Sequence, residues 1–237
     1  MVACRFSLMS TDLIQLQDRI IACTQCPRLT SYCRQVATQK VRRFRHLPYW
    51  GKPVPSFGDP KARLVLIGLA PAAHGANRTG RAFTGDRSGV WLFNALHAHG
   101  FANQPTSEHQ QDGLTLHDAY ITQVLHCAPP GNKPDRTEID HCRTYLLEEL
   151  RLLTNLRILL PLGKIAFDAI LSTLQESGID LPTPRPHFGH ALQYQLATGT
   201  ILLTSYHPSQ QNTQTGRLTS TMFHQVFKTA RALLAQK

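Results

Sequence analysis

The sequence predicts an α/β fold, a single doubly wound domain, on three observations. Short continuous apolar runs recur along the chain and stop at glycine or turn residues. Segments of helical periodicity alternate with them. The most unusual loops all follow the carboxyl ends of the apolar runs. Leu64-Val65-Leu66-Ile67, ending at Gly68, reads as a buried parallel strand because such strands carry apolar residues on both faces. Val90 to His99 is the helix after it, and Tyr120 to Leu125 the second strand. Asp135 to Leu153 is the second helix, with Asp135 and Glu138 spaced as a capping box behind Pro134. Ile158-Leu159-Leu160 is the third strand, and its helix runs from Gly163 to about Gln175. Asp180 to Gly189 is a proline-rich loop, Ile201 to Thr204 the fourth strand, and Leu218 to Leu234 the final helix. Before all of these, Thr11 to Cys23 has helical spacing of Leu13, Ile14, Leu16, Ile20 and Ile21, and residues 1–10 are expected to be a flexible N-terminus. The connector His46 to Pro60 holds Tyr49, Trp50 and Phe57, which makes it too apolar for a free linker and predicts that it packs on the body.

At 237 residues the chain suits one core, so 1–237 is taken as one domain. No apolar run approaches the roughly 18 residues of a membrane span, and the first ten residues lack a secretory apolar region. Six cysteines are too few for a disulfide scaffold in a chain this long, which points to a reducing, cytoplasmic setting. Lys plus Arg number 25 against 15 Asp plus Glu, a formal net charge of +10 that favours a polyanionic partner.

Four widely split cysteines stand out. Cys23 and Cys26 form a CxxC near the start, and Cys127 and Cys142 lie far downstream. Four thiolates can close a tetrahedral metal site or hold an iron–sulfur cluster, and here either would clamp the N-terminal segment onto the main body. Buried structural cysteines without metal remain the alternative. Cys4 and Cys33 are read as bystanders.

The loop after the first strand, Gly68 to Gly89, is glycine-rich and offers backbone N–H groups to an anion or a base carbonyl, but lacks the Gly-Lys-Ser/Thr ending of a P-loop. Its carboxylate, Asp86, is either a functional group or the cap of the following helix, and Phe83 is a stacking platform. After the fourth strand, His207 precedes Pro208, which fixes its exit direction, and Ser209 to Arg217 supplies polar groups suited to phosphate and groove contacts.

These segments, CTQCPRL, PVPSFGDP, GLAPAAHGANRTGRAFTGD, HCAPPGNKP and HPSQQNTQTGRLT, occur in an order that resembles the type-5, iron–sulfur branch of the uracil-DNA glycosylase superfamily, over about Leu16 to Phe227. The type-4 branch has an acidic residue after the glycine of its first motif, where this chain has Leu69. The resemblance implies a central four-stranded parallel sheet flanked by helices. It assigns Cys23, Cys26, Cys127 and Cys142 to a 4Fe-4S cluster that buttresses the DNA-contacting loops. It implies hydrolysis of the N-glycosidic bond of uracil, or another deaminated base such as hypoxanthine, flipped out of single- or double-stranded DNA. Asp86, His207 and Asn132 are the implied catalytic residues, with Gly68, Leu69, Ala70, Phe83 and Gln123 around the base. Arg42, Arg43, Ser209, Asn212 and Arg217 are expected on the DNA side, and the protein is expected to act as a monomer. The rival reading is a cluster-bearing nucleic-acid-binding protein without catalysis, which would not require Asp86 together with His207.

Overall fold

In the computed structural model residues 2–236 are described, with side chains from residue 11 onward. The expectations of a flexible 1–10 segment and of a bystander role for Cys4 lie outside those described side chains. The elements, numbered in chain order, are α1 (Val2–Ile21), α2 (Pro27–Gln39), β1 (Phe57–Gly58), β2 (Leu64–Gly68), α3 (Ala76–Thr79), α4 (Arg87–Ala98), β3 (Ala119–Gln123), α5 (Arg136–Leu152), β4 (Ile158–Pro161), α6 (Lys164–Glu176), β5 (Gln193–Gln195), β6 (Ile201–Leu203), α7 (Gln210–Gln214) and α8 (Ser220–Ala235).

Alternation along β2 shows why helices cover both faces. Successive strand side chains point to opposite sides. Leu64 and Leu66 pack with Leu92 and Phe93 of α4 and Phe223 and Phe227 of α8. Val65 and Ile67 pack with Leu13 of α1, Leu146 of α5 and Phe167 and Ile170 of α6. The four expected strands are present and mutually parallel, β2 pairing with both β3 and β4, and β4 with β6.

The sheet has six strands rather than four, in the order β1-β3-β2-β4-β6-β5, and both additions are antiparallel edges. Neither has the apolar run that marks a buried strand. β5 is Gln-Tyr-Gln with exposed ends, and β1 is two residues inside the proline-rich connector. Gly58 is required there, because a Cβ would lie 2.5 Å from the Ala119 carbonyl oxygen.

The connector packs on the body as expected. Val54 N–H donates to the His126 carbonyl at 2.7 Å, and His126 Nδ1 lies 2.8 Å from the Val54 carbonyl, to which it donates. Asp135 and Glu138 form the predicted capping box at the start of α5. Helix α2 was not read from sequence, although Pro27 at its first turn and buried Leu29, Cys33 and Val36 carry the signal.

Candidate active site

Register places the site. Gly68, the last residue of β2, pairs with Gln123, the last of β3, and Leu162 bridges to Ser205 beyond β4 and β6. The loops that leave these ends therefore meet at one edge of the sheet, where ligands bind in open α/β folds.

The first loop folds back over the end of β2. A Cβ on Gly68 would come within 2.8 Å of the Phe83 ring, so the glycine lets that ring lie against the strand end. Phe83 takes a positive φ of 56°, an uncommon conformation for an aromatic residue. Its backbone is pressed by Gly89, whose Cβ would sit 1.6 Å from the Phe83 carbonyl oxygen.

Asp86 caps α4, with Oδ1 accepting from Gly89 N–H at 2.9 Å. It also lines the cavity, so the cap is formed and the carboxylate is placed where a functional group could act. Burial raises its pKa above the usual carboxylate value, against the opposing pull of the Gly89 and Ser88 N–H groups and the Arg78 charge.

His207 enters from beyond β6 and stacks on Phe83, with centroids 5.9 Å apart. Burial pulls its pKa down to about 4, so the ring is neutral near pH 7 and carries one N–H donor. Asn212 Nδ2 donates to the His207 carbonyl at 2.9 Å, and Ser209 caps α7, accepting from Asn212 N–H at 3.4 Å. Those two polar residues thus hold the histidine loop as well as facing the cavity.

The cavity is about 730 Å³ and brings together Leu69, Ala70, Phe83, Asp86, Gln123, Asn132, His207, Ser209, Asn212 and Arg217. Gln123 is buried at the strand end, whereas Asn132 is exposed at the tip of a 3₁₀ turn with φ of 57°. Arg217 is exposed with its guanidinium 4.8 Å from the Tyr206 ring. Gly68 underlies the Phe83 ring and does not line the cavity. Sequence reasoning missed Phe188, Tyr206 and the Gly163-Lys164 start of α6, which complete the wall. Gly163 follows the β4 end, so the same strand-end rule would have found it. Arg43 borders a separate, adjoining groove, while Arg42 sits in an exposed turn and borders neither.

Cys26, Cys127 and Cys142 are buried in one cluster with Leu29, Leu125 and Ala128, and Leu69 and Ala70 pack against it. The cysteines therefore back the first loop directly. Half-buried Cys23 stands near enough for its charge to raise the Cys127 and Cys142 thiols. Burial pushes Cys142 up to about 12 and also raises Cys26, while Cys127 is raised first by its hydrogen bond with Cys33 and then by burial. Cys33 is thus no bystander in the packing, since its sulfur touches Cys127 and accepts from Ala128 N–H at 3.3 Å. Among the described residues no three His, Cys, Asp or Glu side chains are gathered for a single metal ion. An ion pair fastens the same junction. Arg28 on α2 reaches Glu138 at 2.8 and 2.7 Å and Asp135 at 3.1 Å, both at the start of α5.

Residues 55–231 match the family described as the Uracil DNA glycosylase superfamily. A type-5 uracil-DNA glycosylase of Mycobacterium bovis is 47% identical over 223 residues, 94% of this chain and 82% of that protein. One from Thermus thermophilus is 46% identical over 90% of this chain and 94% of its own length. A third, from Pyrobaculum aerophilum, is 41% identical over 91% of this chain and 90% of its own. With the strand-end cavity built from the same motifs, these similarities establish that the chain belongs to the uracil-DNA glycosylase superfamily, alongside its type-5 members.

Proposed function

We propose that this protein removes uracil, and other deaminated bases that fit the same cavity, from DNA by hydrolysing the N-glycosidic bond. The observation that carries the reading is the convergence of Phe83, Asp86, Gln123 and His207 on one cavity from three separate stretches of chain. A binding module needs neither a desolvated carboxylate nor a neutral imidazole facing its pocket.

The target nucleotide leaves the stack and its base enters beside Phe83, with the Gln123 amide facing its polar edge. The C1′–N bond breaks with its electron pair going to the base, and the sugar becomes cationic at C1′. His207 donates its N–H to the base carbonyl oxygen as negative charge builds there. A neutral donor avoids leaving a buried cation when the base departs. Leu69 has no polar atom to orient water, so the carboxylate is Asp86, on the sugar side. Ionised Asp86 stabilises the cation and takes a proton as water bonds to C1′. Exposed Asn132 closes over the base, and Arg217, Ser209 and Asn212 face the backbone.

The cysteines fit a 4Fe-4S cluster. They are soft donors, three of them share one apolar pocket, and burial raises the Cys26 and Cys142 thiols, a cost that iron would offset. A four-iron cluster also spaces its thiolates more widely than a single ion does. Cys23, Cys26, Cys127 and Cys142 would hold it. When bound it supplies a rigid crosslink between the α1–α2 junction and the segments behind Leu69 and Ala70.

A gel assay on oligonucleotides carrying uracil, hypoxanthine or a mismatch tests the reading. Alkali-labile product from uracil DNA is expected. Binding of that DNA without any cleavage would return the protein to the class of nucleic-acid-binding modules.

A further inference from the structure

A second groove of about 1040 Å³ adjoins the cavity, and Asp86 and Arg87 line both. Any ligand in it lies one side chain away from the proposed reaction centre. Its most unusual occupant is Arg78. Five arginines in the described part of the chain are not exposed, namely Arg63, Arg78, Arg81, Arg143 and Arg231. Four of them pair with a carboxylate: Arg63 with Asp118, Arg81 with Asp112, Arg143 with Asp140 and Glu176, and Arg231 with Asp118. Arg78 forms no ion pair among the described residues. A half-buried cation is normally matched by an anion, because desolvation penalises an unmatched charge.

The guanidinium is nonetheless fixed. Nε donates to the His74 carbonyl at 2.9 Å and Nη2 to the Gly85 carbonyl at 3.2 Å. Its Cζ lies 4.2 Å from the Phe44 ring centroid, and that of Arg43 lies 5.0 Å from the same ring. Gly85, with φ of 81°, leaves the space it needs, since a Cβ there would be 2.2 Å from Nη2. Two guanidiniums on one aromatic ring, one of them oriented by backbone carbonyls, form a cationic pair that makes no ion pair among the described residues, although the Asp86 carboxylate lies near enough to feel the Arg78 charge. Phosphate is the anion such planar forks match best. Glu108 and Asp86 are the acids lining the groove, and Ser107, Gln110 and Gln111 give its far bank polar groups suited to a sugar–phosphate chain.

We propose that Arg78, with Arg43 and the Phe44 ring, is a phosphate clamp that holds the DNA backbone next to the flipped nucleotide. The inference rests on the glycosylase reading of the adjoining cavity and adds to it a site and a mode of engagement. The strand is gripped on one side of the Asp86–Arg87 wall while the base is presented to His207 on the other. Clamping and presentation are one binding event, so the clamp aligns C1′ with Asp86 as well as adding affinity.

The test is a thermodynamic cycle on the full chain with duplex DNA carrying a non-hydrolysable uracil nucleotide, in which single flanking phosphates are replaced in turn by neutral methylphosphonate. For the wild type, one position near the uracil should weaken binding about tenfold, as expected for loss of a charge-assisted contact. In Arg78→Lys, which keeps the charge but loses the planar fork, the same replacement should cost far less, so the two losses fail to add. Arg43→Ala, in an exposed turn, reads the same cycle from the other cation should the Arg78 variant lose its fold. Losses that add at every flanking phosphate overturn the clamp. Cleavage of ordinary uracil DNA is measured separately, so a protein that binds with this coupling but never cleaves defeats the glycosylase reading and leaves the clamp standing.

Discussion

The rings of Phe83 and His207 stack 28° from parallel with centroids 5.9 Å apart, although they leave the sheet from different strands. This contact joins the glycine-rich loop after β2 to the histidine loop after β6, and it makes the wall of the cavity depend on both. The ring of Phe83 is in turn seated on Gly68. A base entering the cavity therefore meets a surface whose position is set by the absence of a side chain at the strand end.

Gly68→Ala is accordingly expected to push the Phe83 ring off its seat. The contact is with the far edge of the ring, which can tilt, so the fold should survive with a loss of about 1–3 kcal/mol, typical of overpacking. The cleavage rate should fall at least as far as that of Phe83→Ala. Gly89→Ala gives the contrast, because its Cβ would strike the Phe83 carbonyl oxygen at 1.6 Å and backbone cannot tilt away. Thermal melts beside single-turnover cleavage separate the two, and a Gly68→Ala enzyme with full activity would dismiss Phe83 as the base platform.

The cap that Asp86 provides and the catalytic role proposed for it can be divided by mutation. Asn caps helices about as well as Asp, so Asp86→Asn should keep α4 intact. Burial raises the Asp86 pKa, so the folded state holds the proton more tightly than the unfolded chain does. The stabilisation linked to that proton is fully present below the unfolded pKa and lost as pH rises through the folded one. At neutral pH Asp86→Asn should therefore melt no lower than the wild type, while single-turnover cleavage falls about a hundredfold or more, the scale of a lost general base. Equilibrium affinity for uracil DNA should change little. Wild-type cleavage by this variant would leave the carboxylate a helix cap alone.

The pH profile follows from the same two groups. His207 has a folded pKa of about 4 against an ordinary value of 6.5. Its neutral form contributes stability that is present above the unfolded pKa and lost as pH falls from there through about 4. Activity should show no break near 6.5, and its acid limb should belong to protonation of Asp86, above the ordinary carboxylate range. In Asp86→Asn that limb should disappear, leaving a low and flatter profile. His207→Ala should cost about 3–4 kcal/mol of transition-state stabilisation, as for other preorganised donors, with binding largely kept. A break at the ordinary histidine pKa in the wild-type profile would show that the imidazole is not buried in the working enzyme.

What the sequence revealed and what it hid divide along physical lines. The four parallel strands announced themselves through runs such as Leu64 to Ile67, because burial on both faces leaves no room for polar residues. The edges β1 and β5 have water on one side and carry Gly58 and Gln195, so no apolar run marks them. Asp86 stood out as the carboxylate of the first loop and His207 as an imidazole after a strand, while the roles proposed for them rest on the family resemblance. Gly163 follows a strand end and was open to the same rule, whereas Phe188 carried no such signal, since its part in the cavity arises only when the proline-rich loop packs beside the β6 loop. Cys33 was hidden for the same reason, its contact with Cys127 being a matter of packing between α2 and the segment after β3. Arg42 and Arg43 read alike as a basic pair, and only the turn that holds them shows that Arg43 alone borders a groove.

The last prediction separates the two fastenings of the N-terminal segment. With the proposed cluster in place, the anaerobically purified protein should be brown and contain iron, and Cys142→Ser should lose both, because such a cluster needs its full set of thiolates. The segment should not come loose entirely, since the Arg28 fork on Glu138, with Asp135 beside it, joins α2 to α5 without metal. The side chain of Glu138 is buried while that of Arg28 is partly exposed, so removing the arginine leaves a buried carboxylate short of its partner. Cys142→Ser alone should melt lower than the wild type yet cooperatively. Adding Arg28→Ala should then free α2, seen as rapid hydrogen exchange through Pro27–Gln39, and cleavage should collapse as Leu69 and Ala70 lose the packing behind them. Iron content, melting and exchange measured on the four combinations decide the matter. Full iron in Cys142→Ser would remove that residue from the ligand set, and unchanged exchange in the double variant would show that packing around Leu29 and Cys33 is the true fastening.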